Sequence, residues 1–148
     1  MRLKSRLPAV FLIALVAIVV TSCSNGPDAD ASEIRAVLHR MFDRPGTQLV
    51  IDPVVVGRTH AIADWTQSDM GGRALMRKTE GAWHVILCSG DGIRSASALE
   101  AAAVPPDEAR ELATNLLAAE QKLPPDRLSR LSRFEGTVRM DGTEHHAH

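Results

Sequence analysis

Tyrosine is absent from this 148-residue chain, and its other aromatic side chains number five, three Phe and two Trp, so aliphatic residues have to fill any interior. Basic residues give no excess, with 17 Lys and Arg against 18 Asp and Glu. That balance argues against nucleic acid as a partner, because a phosphate backbone rewards clustered Lys and Arg. The one strongly apolar run, residues 9–20, is well short of the roughly 20 residues that span a bilayer. No GxSxG, HExxH or paired CxxC occurs, and no Gly-Lys-Ser or Gly-Lys-Thr of a phosphate loop. The scattered Ser, His and Asp residues nominate no nucleophile or base, and the chain is expected not to be an enzyme.

What is present starts with the N-terminus. Arg2, Lys4 and Arg6 precede the apolar run, which then gives way to small polar residues; this is the three-part layout of a secretory signal over residues 1–22. Val20, Thr21 and Ser22 lead into Cys23, and the stretch resembles the lipobox of bacterial lipoprotein precursors. The resemblance implies an exported, periplasmic protein that starts at a lipidated Cys23, with cleavage without lipid as the alternative. Each buried lipid methylene contributes about 0.8 kcal/mol to membrane attachment. Polar residues up to 31 then act as a tether.

Without the leader, three of the 17 basic residues go and none of the 18 acidic ones, leaving 14 against 18, a net charge of about −4 with neutral histidines. The 126 residues from Cys23 onward suit one domain of ordinary size. With Cys23 lipidated, Cys88 is the sole remaining thiol, so no intramolecular disulfide forms.

The body reads as a single α+β domain over residues 32–136. Ile34, Val37, Leu38, Met41 and Phe42 repeat at helical spacing, with Ser32 or Asp30 to cap the start and Pro45-Gly46 to end the helix. Four strand-like runs follow at 48–56, 60–67, 73–78 and 83–88, with turns at 57–58, 69–72 and 79–81; connections this short favour an antiparallel meander. Pro53 removes a ladder donor, which puts the first run at an edge or in a bulge. Gly71-Gly72 is expected to supply positive φ in its turn. Helical patterns then return over 93–103 and after two Pro-Pro-Asp openings at 105–107 and 124–126, where the second proline suits the first helical position. One stripe holds Leu112, Leu116, Ala119 and Leu123, another Leu128, Leu131 and Phe134. The expected architecture is an N-terminal helix, a four-stranded antiparallel meander, and C-terminal helices packed on one face, leaving the sheet covered from one side.

ADWTQSDMGGRALMRK, EGAWHVILCSGDGIR and FEGTVRMDG before a histidine-containing end together make the chain resemble the bacterial copper uptake system-associated proteins. The resemblance covers most of the chain beyond the leader. It implies an exported protein linked to copper-import components, and thus copper and copper-import or copper-chaperone proteins as partners.

The chemistry of residues 137–148, read as a flexible tail, agrees with that implication. Met140, His145, His146 and His148 offer imidazole for Cu(II) and thioether for Cu(I). A disordered polar terminus that binds metal incidentally is the plainer alternative. Cys88 and Met70 are secondary candidates. Cys88, on the face that alternation assigns to His84 and Ile86, reads first as a buried small hydrophobe and second as a soft ligand at a strand end. Four strand residues separate it from His84 by roughly 13 Å, too far to share an ion. Met70 in its turn exposes its sulfur. Residues 89–92, Ser-Gly-Asp-Gly, read as a turn with a helix cap, and His39 and His60 as solvated.

The sequence thus points to an extracytoplasmic copper-handling protein that binds copper through a C-terminal His/Met segment and exchanges it with a partner. The alternative is a non-metal periplasmic interaction module that binds through its sheet face. A small enzyme with a pocket between sheet and helices comes third.

Overall fold

The computed structural model describes residues 26–140. Residues 1–22, Cys23, His145, His146 and His148 lie outside the described residues.

Helix α1 (Pro27–Phe42) starts five residues before Ser32, because Pro27 opens the first turn behind Gly26, and Asp28 and Asp30 sit at the positive end of its dipole. Much of the expected tether is therefore helical. The strands are β1 (Leu49–Val56), β2 (His60–Gln67), β3 (Met70–Thr79), β4 (Ala82–Ser89) and β5 (Thr137–Arg139), antiparallel in the order β1-β2-β3-β4-β5. The fold is α+β as expected, with one strand more. Residues 137–139, read as tail, pair instead with Leu87–Ser89 and cover part of the β4 edge. Asp30 does not cap α1. Its buried carboxylate accepts from Lys78 Nζ at 2.6 Å and Trp83 Nε1 at 3.1 Å, which ties the helix to β3 and β4.

Two hairpins show why the turns fall where they do. Glu80 and Gly81, both at positive φ, join β3 to β4 in two residues, the backbone that a primed turn needs. Between β2 and β3 the turn is made by Ser68 and Asp69, with Ser68 at φ 53°, so Gly71 and Gly72 belong to β3 and supply no positive φ. β1 is an edge strand and is irregular between Ile51 and Val54, around a cis Asp52-Pro53 bond, so Pro53 meets both sequence expectations.

After β4 come a single 3-10 turn (Asp91–Ile93) and helices α2 (Ala96–Ala101), α3 (Pro106–Glu120) and α4 (Pro125–Leu131). Pro106 and Pro125 hold the first positions of α3 and α4, as the repeated Pro-Pro-Asp signature requires. Ser95 caps α2 by accepting from Ala98 N.

The core has two parts, one on each sheet face. Ile34, Val37 and Leu38 of α1 pack on Ala61, Ala63, Ala74, Met76, Trp83 and Val85. On the other face Leu99, Ala109, Leu112 and Leu116 pack on Val55, Ile62, Leu75, Ile86 and Leu87. The C-terminal helices do share one face, but α1 covers the opposite one, so the sheet is not open on either side. The small Ala61, Ala63 and Ala74 let α1 approach where aromatic bulk is scarce. The segment after α4 then wraps around the end of the sheet, and Phe134 joins the α1 side by packing edge-on against Trp65, centroids 5.6 Å apart. That passage explains Gly72 and Gly90: a Cβ on Gly72 would lie 2.9 Å from Phe134 Cβ, and one on Gly90 would lie 2.3 Å from Phe134 O. Among the described residues, no helix is long and apolar enough to cross a membrane.

Candidate functional site

The geometry around Cys88 begins with a bulge. Leu75 pairs with Leu87 and Met76 with Val85, so Ile86 is an extra residue that resets the alternation of β4. Ile86 and Leu87 both join the cluster under α2 and α3, while Cys88 joins Trp83 and Val85 on the α1 side. Simple alternation put Cys88 and His84 on one face; the bulge puts them on opposite faces.

Strand β5 places Val138 opposite Cys88, and the Met140 N–H donates to Ile86 O at 2.7 Å. Met140 is therefore a diagonal neighbour of Cys88 on the same face, a spacing that long side chains can bridge. Both line a cavity of about 270 Å³ with Leu38, Phe42, Trp65 and Phe134, and with Arg44 and Gln67 as further polar groups. Cys88 is buried, which pushes its thiol up to about 11. Met140 is 37% exposed.

Met140 also lines a second hollow, beside the stretch of β4 that precedes its pairing with β5, with Met41, Arg77 and His84. Met70, exposed at the start of β3, lines neither hollow. The structure thus brings Met140 and Cys88 together and leaves Met70 apart. Among the described residues, no three His, Cys, Asp or Glu side chains gather as a metal-holding group.

Sequence reasoning missed two buried polar clusters. Arg73, fully buried, donates from Nε to Glu120 at 2.6 Å and from Nη1 to Gly90 O at 2.9 Å and Asp91 at 3.2 Å. Asp64, its cross-strand partner, is also fully buried, lies 3.8 Å from Arg73 Nε, and accepts no hydrogen bond at either oxygen from the described residues. Burial and the nearby Glu120 raise its pKa to about 7, against the opposing charges of Arg73, Arg127 and Arg94.

His60, read as solvated, is buried, because the tip of the β1–β2 hairpin tucks under α3. Glu108 accepts there from the backbone N–H groups of Thr59 and His60 at 2.7 and 2.9 Å and from the Thr59 hydroxyl at 2.8 Å. Burial alone would push the Glu108 carboxyl up, but these hydrogen bonds prevail and hold it at about 2. The Ser-Gly-Asp-Gly segment is a structural joint, with Asp91 accepting from Arg73 and Ser132.

Comparison with known proteins gave no match: no protein-family model, no curated protein and no solved structure is similar to the chain.

Proposed function

We propose that this protein handles copper outside the cytoplasm, capturing it on Met140, His145, His146 and His148 and exchanging it with a copper-import or copper-chaperone partner. One observation carries most of the support. Met140 is pinned by its backbone to Ile86 while its side chain stays part-exposed and lines one cavity with the buried Cys88, so the histidine-bearing segment follows directly on a residue that shares a cavity with a second sulfur. His145 follows five residues later and lies within roughly 17 Å of Met140 along the chain, close enough for an ion to pass between imidazole and sulfur. Imidazole suits Cu(II) and thioether suits Cu(I), so the two ligand types serve either oxidation state. A lipid on Cys23 would keep this exchange at a membrane surface.

The rival reading, a non-metal module binding through its sheet face, loses support because helices cover both faces. Copper titration of the intact chain and of one ending at Met140 tests the proposal: strong Cu(II) binding by the first and its loss in the second is the expected result, and equal binding would overturn it.

A further inference from the structure

We infer that Cys88 and Met140, with Met41 on their outer side, form a sulfur site selective for Cu(I) within the folded domain; this deepens the copper-handling reading above and rests on it. The position of Met140 is the first ground, since it sits diagonally across the β4–β5 pair from Cys88 and the two residues line one cavity. Exposed methionine is the second. Of the six large apolar side chains exposed among the described residues, three are methionines, and two of these, Met41 and Met140, line the same hollow. Met41 lies in the last turn of α1, at the negative end of the helix dipole, which favours a cation.

Charge selects the ion. A single thiolate with thioether donors leaves a Cu(I) centre with no net charge, which a cavity walled by Leu38, Phe42, Trp65 and Phe134 tolerates. Cu(II) in the same place would carry one uncompensated charge. Neither lining contains a carboxylate, and Arg44 and Arg77 add positive charge, so hard divalent cations gain nothing there. Binding forms a Cu–S bond as the thiol proton leaves to water, and no electron is transferred, so copper has to arrive already as Cu(I).

The test uses the intact chain carrying Cys23→Ser, which removes the other thiol. Cu(I) is kept reduced with ascorbate and competed against a Cu(I) chelator, and X-ray absorption identifies the bound ion's neighbours. Cys88→Ala is expected to weaken Cu(I) roughly a hundredfold while leaving Cu(II) binding intact, and Met41→Leu to weaken it roughly tenfold. Met41 is 51% exposed, so that variant tests the site without placing the fold at risk. Sulfur neighbours in the absorption spectrum, retained after deletion of residues 141–148, complete the expected pattern. Unchanged Cu(I) affinity in Cys88→Ala, or neighbours that are only nitrogen and oxygen, would overturn the sulfur site and leave the tail proposal standing. Conversely, a chain that binds Cu(I) through sulfur but shows no Cu(II) binding would defeat the tail proposal alone.

Discussion

Arg73 on β3 and Glu120 at the end of α3 are both fully or almost fully buried and are joined by a 2.6 Å hydrogen bond, a direct polar link between the sheet and α3. Glu120 also accepts from Arg94 at 2.8 Å. Glu120→Ala strands a buried guanidinium, and the cost is about 3–5 kcal/mol. Chemical denaturation should show a lower midpoint of that size. A change under about 1 kcal/mol would mean that Gly90 O and Asp91 satisfy Arg73 unaided.

Asp64 produces a pH dependence of opposite sign to the usual carboxylate. Its pKa is raised to about 7 when folded, against an ordinary value of 3.8. The folded state therefore keeps a proton that the unfolded state has lost between these limits, so this group makes stability fall as pH rises from about 4 to about 7 and level off above. Asp64→Asn should remove that slope and stabilise the protein near pH 8 by a few kcal/mol. Thermal melts of both proteins across pH 4–8 check it; parallel profiles would contradict the assignment.

Glu108 contributes in the ordinary direction. Its folded pKa of about 2 lies below the model-peptide value of 4.5, so its stabilisation is fully present above about pH 5 and is lost as pH falls from there toward 2. Glu108→Ala leaves the N–H groups of Thr59 and His60 unpaired under α3 and should cost about 1–3 kcal/mol for each. Faster hydrogen exchange of those two amides is the local signature; unchanged protection would rule the anchor out.

Gly90→Ala forces a methyl group against Phe134 O, a backbone atom with little room to yield. A destabilisation of about 1–3 kcal/mol is expected. Reduced Trp65 burial, read by fluorescence, should accompany it, since Phe134 packs on that ring.

Local chemistry in the sequence revealed the fold where one residue type had one use. Pro106 and Pro125 opened helices, Glu80-Gly81 made the third hairpin, and the stripe at Leu112 and Leu116 faced the sheet. Periodicity fails at Cys88 because a bulge at Ile86 shifts the pattern by one residue, and nothing local announces it. Gly71-Gly72 looked like turn glycines because close approach and positive φ call for the same residue. His60 is buried against Glu108, 48 positions away, and Arg73, beside Asp64, against Glu120, 47 positions away, separations that no spacing rule reads. For the candidate site, Met140 and Cys88 were legible singly, as soft donors, but their diagonal pairing required β5, and Met41 read only as part of an apolar helix stripe.

Copper capture is proposed to lie with the histidine-bearing segment that follows Met140. Its most direct test is Cu(II) titration by isothermal calorimetry of the intact chain and of a chain lacking residues 141–148, each at pH about 7.5 and about 5.5, on either side of the ordinary imidazole pKa near 6.5. Binding by the intact chain is expected at the higher pH, strongly weakened at the lower pH and lost on truncation. Equal affinity in the two chains, or binding indifferent to pH, would contradict it.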